Sequence, residues 1–264
     1  MRDEILTLLP PDYPWGQELL YYEEISSTNT ELKSMARAGA PGGTALIARR
    51  QTGGRGRLGR SFHSRDGGIY LSLLLRPECP PEKLMHLTCA VAVAMCDAVE
   101  AVCGLRPGIK WTNDLVHGKR KLGGILTELG FGPDGNVSWC VLGIGINCIQ
   151  RDEDFPPELR YMAASLSAVT GQTVSPALLA ARMLEHLHRL SNILLTEQKA
   201  ILDRYRKDCI TLGQQISLVR GDTVRHGIAL DITDTGALTV RFPDGHLEDI
   251  GSGEVSVRGM YGYV

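Results

Sequence analysis

Residues 50–60 read RQTGGRGRLGR, and this run of four arginines and four glycines sets tighter limits on the architecture than any other part of the chain. Glycine at that density defeats helix and strand alike, because each one adds unfolded-state entropy and offers no side chain to pack. Arginine keeps its proton in proteins and presents a planar fork of donors that matches phosphate or carboxylate. Apolar runs of β type lie on either side, GGTALIARRQ before and GGIYLSLLLRP after. The pattern predicts a mobile cationic loop hung between two strands and made to close over an anion.

The remaining patterns predict the scaffold. SSTNTELKSMARAGAP outlines a short helix with a capping box at Thr28 and Glu31 and a stop at Gly39 before Pro41. PPEKLMHLTCAVAVAMCDAVEAVCG sets Leu84, Leu87, Val91, Met95, Ala98 and Val102 at helical spacing, with prolines first and Gly104 last, which is a core helix. GIKWTND through GIGINC predicts a strand, a basic turn and two strands joined by PDGN, hence consecutive antiparallel pairs. A helical stretch follows, with Ser175 as N-cap and Pro176 at its first position. From Cys209 short β-type runs alternate with the turns VRGDT, TDTG and FPDGH, the texture of a small barrel. A boundary near 208 is expected, giving domains 1–208 and 209–264, and RGD at 220–222 is read as a turn.

Composition removes several function classes. With 43% hydrophobic and 22% charged residues in 264, disorder and fibrous repeats are not supported. No apolar run is expected to reach the ~18 residues of a membrane span, and MRDEILTLLPPDYPWGQ has acids and prolines where a signal peptide needs a basic and then an apolar region. A cytoplasmic protein without membrane contact is expected. The seven cysteines include no C-x-x-C pair and no compact His/Cys cluster, so neither a disulfide framework nor structural zinc is expected; Cys89, Cys96 and Cys103 share a helix face as small buried apolar residues. A formal net charge of −2 gives no general attraction to nucleic acid.

Four segments carry candidate chemistry: SSTN (26–29), GGRGR (53–57), KWTND with GKRKLGGIL (110–114, 118–126) and GIGIN (143–147). Each has a structural explanation. Thr28 could only cap a helix, Lys121 could be a solvated lysine in a basic turn, and the glycines of GIGIN or Gly123 and Gly124 could mark close backbone approach. Taken singly, only the arginine loop favours function over structure.

Taken in order, these segments resemble the biotin protein ligases, also called biotin–[acetyl-CoA-carboxylase] ligases. The resemblance runs from about Tyr22 to Arg258 and includes the GRGR loop, K-W-x-N-D, R-K-(small)-G-I-L and G-x-G-I-N, with ISLVRGDTVRHGIALDI and SGEVSVR in the carboxyl-terminal part. It implies an α+β fold: a mixed, largely antiparallel, class II synthetase-like sheet flanked by helices, plus a small SH3-like β-barrel. It implies that ATP, with Mg²⁺, activates biotin as biotinyl-5′-AMP, and that biotin then passes to one lysine of a biotin carboxyl carrier protein domain of acetyl-CoA carboxylase or a related carboxylase. Ser27, Thr28, Asn29 and Gln51 match positions at the biotin ring and ureido group. Gly54, Arg55 and Arg57 match the loop over the biotin carboxylate and the phosphates, and Lys121 the lysine beside the activated carboxyl. Gly124 and Gly143 match positions next to biotin. Trp111, Asn113 and Asp114 match the nucleotide wall, and Gly145 and Asn147 the strand beneath it. Thr112 stands where the family often has proline, and Phe62 where it often has tryptophan.

Elementary chemistry agrees with these roles. A buried ureido group needs short hydroxyls and amides to pair its donors and acceptor, and joining a carboxylate to a phosphate needs cations between them. Transfer requires no enzyme-bound covalent intermediate, so no serine or cysteine nucleophile is needed. The short stretch before Tyr22 leaves no room for the amino-terminal helix-turn-helix that some family members use for repression, so no specific DNA contact is expected. A homodimer stays open. The rivals are a lipoate ligase of the same superfamily and an RNA-binding protein that uses the Arg/Gly segment.

Overall fold

The two apolar runs that flank the arginine loop pair antiparallel, with Ala45 opposite Leu73 and Ala48 opposite Tyr70. In this computed structural model, which describes residues 1–251 and the backbone of 256–259, they belong to a seven-stranded sheet. Its strands are β1 (Leu19–Ile25), β2 (Ala45–Gln51), β3 (Gly68–Leu75), β4 (Gly108–Lys110), β5 (Asp114–His117), β6 (Arg120–Phe131) and β7 (Val137–Asn147). The spatial order is β1-β2-β3-β7-β6-β5-β4; β1 and β2 are parallel, the other neighbours antiparallel. This is the mixed, largely antiparallel sheet that the family resemblance implies.

Helices cover both faces: α1 (Arg2–Leu8), α2 (Thr28–Arg37), α3 (Leu87–Cys103), α4 (Leu166–Thr170), α5 (Pro176–Ile193) and α6 (Gln198–Asp208). Period-2 alternation divides the strands between two cores. Leu46, Leu74 and Val141 pack with Leu32 and Ala36 of α2, whereas Ile47, Leu73 and Leu142 join the larger core that contains α3 and α5. Every residue of β3 is buried, which is why its sequence is apolar apart from Ser72.

Two expectations need correction. The cap of α2 is Ser27, whose Oγ accepts from Thr30 N at 3.4 Å, so Thr28 is already helical and Glu31 is no part of a capping box. The reason is competition: the Thr28 hydroxyl is spent on Gln51 Oε1, 3.1 Å away. The span Pro81–Cys103 is long and apolar enough to cross a membrane, contrary to the expectation that no run is. It begins as a 3₁₀ turn at Pro81–Leu84, and most of α3 is buried in the larger core, so protein covers its apolar surface. Gly104 ends it at φ +70°, the left-handed cap expected of glycine.

After α6 come β8 (Gln215–Arg220), β9 (Thr223–Ile232), β10 (Leu238–Arg241), β11 (Leu247–Ile250) and β12 (Ser256–Gly259), an antiparallel sheet in the order β11-β10-β9-β8-β12. The RGD segment is the β8–β9 turn. Of SGEVSVR, 252–255 lie outside the described residues, as do 260–264. The small sheet shares the larger core through Leu218, Ile232 and Val240. The segments beside its strands also hold the residue that follows β4: Trp111 N donates to Thr211 Oγ1 (2.9 Å), and Trp111 Nε1 to Gly236 O (3.0 Å). All seven cysteines are buried thiols.

Candidate active site

Across β3, β7 and β6 two rows of facing residues form a trough: Ser72–Gly143–Leu126, and beside it Tyr70–Gly145–Gly124. Glycine at the centre of each row leaves room that a side chain would fill. A Cβ on Gly145 would sit 2.6 Å from the Phe62 ring, and one on Gly143 would strike the Asn29 amide. The arginine loop folds over this trough. Phe62 N donates to Gly54 O (3.0 Å) and Gly56 N to Arg60 O (2.7 Å), while Leu58 turns the tip at φ 54° with its side chain exposed. Segment 155–163 closes another side, and Lys121 N donates to Met162 O at 2.7 Å. The cavity between them measures about 310 Å³.

One end of the cavity is a buried polar cluster built on the start of α2. Thr28 N donates to Gln51 Oε1 (2.8 Å), and Gln51 Nε2 to Ser64 Oγ (3.0 Å). Ser72 Oγ lies 2.8 Å from Thr28 Oγ1 and 2.6 Å from Asn29 Oδ1, and Asn29 Nδ2 reaches Glu128 Oε2 at 3.0 Å. Fixed hydroxyls and amides of this kind can read a small group that carries both donors and an acceptor. The Leu126 side chain lines an apolar stretch next to it, beside the backbone of Ile125 and Ile144, whose side chains belong to the larger core.

The other end is cationic. Lys121 Nζ lies 2.5 Å from Asp114 Oδ1 and 5.7 Å from the centre of the Phe62 ring. Arg57 Nη1 donates to Asn113 Oδ1 at 3.0 Å, and Asn113 is anchored by exchanging bonds with Ile125 of β6. Burial pulls the Arg57 guanidinium below its ordinary pKa, opposed by the Asp114 carboxylate. Asn147 Nδ2 donates to Ala164 O (3.1 Å), tying the floor to the residue that follows segment 155–163.

The cavity brings together Ser27, Thr28, Asn29, Gln51, Arg55, Arg57, Trp111, Asn113, Asp114, Lys121, Gly124, Gly143, Gly145 and Asn147. Gly54 is the exception: it is not a lining residue. Its importance is steric, because a Cβ there would collide with Phe62 O and Ser64 Oγ. The two loop arginines also point to different walls, since Arg55 Nη1 meets Glu128 Oε1 at 3.2 Å.

Sequence reading missed Ser64, Ser72 and Glu128, which hold the polar cluster in place, and His63, Phe155 and Met162, which line the cavity. The alternation of β6 offered a signal for Glu128, because a residue four beyond Gly124 faces the same side. Nothing local marked Ser72 within an apolar strand. His63 Nε2 is buried without a hydrogen-bond partner; burial first, then the charge of Arg65, depresses the imidazole pKa.

The donor set also tests for a divalent metal. Among the described residues no three His, Cys, Asp or Glu cluster as ligands, and Asp114 is the carboxylate among those lining the cavity. Asp114 is therefore the protein oxygen at hand for a divalent ion.

Comparison with known proteins places this architecture in a class. Residues 21–147 match the model of the biotin/lipoate A/B protein ligase family, and residues 211–258 the biotin protein ligase C-terminal domain. The bifunctional ligase/repressor BirA of Bacillus spizizenii is 38% identical over 247 residues, covering 87% of this chain and 71% of that protein. The biotin–[acetyl-CoA-carboxylase] ligase of Paracoccus denitrificans is 33% identical over 224 residues, 83% of this chain and 92% of the relative. Among solved structures, the biotin protein ligase of Aquifex aeolicus in complex with biotin and ATP superposes with a TM-score of 0.78 at 29% identity, over 91% of this chain and 98% of that one. The chain belongs to the biotin protein ligase family.

Proposed function

We propose that this protein uses ATP to convert biotin to biotinyl-5′-AMP and transfers the biotinyl group to a lysine of a biotin carboxyl carrier protein domain. The observation that carries this reading is the polarity of one cavity: a hydrogen-bonding end at Thr28, Asn29 and Gln51, an apolar waist, and a cationic end at Arg57 and Lys121. Biotin has the same order, ureido ring, alkyl chain, carboxylate. In the first step a carboxylate oxygen attacks the α-phosphorus and pyrophosphate leaves. Lys121 and Arg57 offset the repulsion between the two anions, and Mg²⁺, which Asp114 would help to hold, would supply further charge neutralisation. In the second step the carrier amine attacks the acyl carbon and AMP leaves.

Residues 1–208 form the unit that holds the substrates, and 209–264 a smaller unit that supports the nucleotide wall through Thr211 and Gly236. The reaction fits a cytoplasmic setting without membrane contact. The polar cluster weighs against lipoate, whose dithiolane ring carries no hydrogen-bonding group to meet it. The inward aim of Arg55 and Arg57 weighs against an RNA-binding surface. Incubation with ATP, Mg²⁺, biotin and a carrier domain should add one biotinyl group to one carrier lysine by mass, and ATP–pyrophosphate exchange should require biotin and ignore lipoate. Exchange driven by lipoate alone would reject the proposal.

A further inference from the structure

Glu128 stands on β6 opposite Val141, two residues beyond Leu126 on the face that lines the cavity. Its carboxylate gathers three partners from two other elements. Lys33 Nζ of α2 lies 2.6 Å from Oε1, Arg55 Nη1 of the arginine loop 3.2 Å from the same oxygen, and Asn29 Nδ2 3.0 Å from Oε2. Glu128 is only 20% exposed, whereas Arg55 is 48% exposed. The strand therefore supplies a fixed acceptor and the loop a mobile donor. Arg57 turns instead to Asn113, on the nucleotide side of the cavity.

This splits the labour between two arginines of one short box. We propose that Glu128 is a positioning residue: through Arg55 it latches the arginine loop over the bound adenylate, leaving Arg57 as the loop arginine that meets the ligand's anions. The assignment rests on the function proposed above. The same carboxylate fixes Asn29, so closing the loop and ordering the polar end of the site share one anchor. A latch made from one partly exposed ion pair is weak enough to open for substrate entry and product release.

The test uses the full chain in two arms. Limited trypsin digestion of the ligand-free protein, read as cleavage after Arg57 or Arg60, reports the latch whatever the substrate is. Dissociation of biotinyl-5′-AMP reports its consequence. Glu128→Gln keeps the shape and loses the charge; it should speed both by about fivefold, the upper end of what a partly exposed ion pair is worth. It should raise the KM for biotin while the single-turnover rate of adenylation at saturating biotin stays within about threefold. Arg55→Met should match it in the digestion, where the double variant should be no worse than either; its KM for biotin should rise less, because Asn29 keeps its bond to Glu128. Lys33→Met removes the carboxylate's other cation without touching the loop and should change both readouts less than about twofold.

Unchanged cleavage in Glu128→Gln and Arg55→Met, additive losses in the double variant, or an equal loss in Lys33→Met would each overturn the latch. If Glu128→Gln does not fold, Arg55→Met against Lys33→Met decides, since Arg55 lies on a surface loop. If wild-type protein retains no biotinyl-5′-AMP, the function proposal fails while the digestion arm still decides the latch.

Discussion

Replacing Gly143 by alanine tests the geometry of the polar end directly. A Cβ at that position would lie 2.6 Å from both Cγ and Nδ2 of Asn29, with Oδ1 nearer still, and real Cβ atoms essentially never come within 3.0 Å. β7 is held on both sides by β3 and β6, and Asn29 is fixed at the start of α2. The side chain of Asn29 is thus what yields. Swinging away costs its contact with Ser72 (2.6 Å) and its bonds to Glu128 (3.0 Å) and Leu126 O (3.3 Å). Neutral hydrogen bonds are worth ~1 kcal/mol net, and those to a charged group ~1.5–3. Partial replacement by water leaves an expected loss of about 2–4 kcal/mol in folding stability, and with the amide turned away from the polar end of the cavity, biotin affinity should fall as well.

Calorimetric titration with biotin of wild type, Gly143→Ala, Asn29→Ala and the double variant measures this as a thermodynamic cycle. If the methyl acts by displacing Asn29, removing that amide removes the conflict. The double variant should then bind biotin as Asn29→Ala does, a strongly non-additive outcome. A Gly143→Ala protein that binds biotin like wild type, or a double variant showing the full sum of the single losses, would refute the reasoning.

Three further outcomes are expected. Lys121→Ala should slow adenylation at least about tenfold, or ~1.4 kcal/mol of transition-state stabilisation, with a smaller change in biotin affinity and in transfer from supplied biotinyl-5′-AMP; rapid quench separates the steps, and equal damage to all three would remove the lysine from this role. Thr211→Val leaves the buried Trp111 amide without its acceptor, so urea unfolding should show a loss of about 1–3 kcal/mol, with the KM for ATP rising more than that for biotin. Burial lowers the pKa of His63, His86 and His186 below 6.5. The unfolded chain then binds more protons, and the stability these residues contribute is present above pH 6.5 and lost as pH falls from 6.5 through their folded values. Urea midpoints should therefore be lower at pH 5.5 than at 7.5, and the gap should shrink in His86→Phe; a midpoint higher at pH 5.5 would contradict this.

The parts of this molecule that could be read from sequence are those fixed by local chemistry. Pro176 after Ser175 specifies a helix start, Gly104 its end for α3, and an apolar run such as β3 a strand covered on both faces. The cap of α2 was misread by one position because Ser27 and Thr28 are both competent caps, and the choice lies with Gln51, a residue 23 positions along the chain from Thr28. The candidate site divides in the same way. Its motif residues are conspicuous because glycine, arginine and tryptophan in short order are costly to explain as scaffold. Their partners are not: Ser72 is one hydroxyl in an apolar strand, and Glu128 is one of 30 acids in the chain.

What selects those two is register, which the turns and the hydrophobic faces of three strands set together. Once Gly143 stands opposite both Ser72 and Leu126, period-2 geometry carries Glu128 onto the face of Gly124 and Leu126, beside the amide that Ser72 also holds. A slip of β6 by one residue would turn Thr127 and Leu129 toward the cavity and carry the carboxylate to the far side of the sheet. The loop would then have no acceptor for Arg55, although every motif residue in the sequence would be unchanged. The motifs therefore specify which chemistry is available, and strand register decides whether the loop that carries it can be held shut.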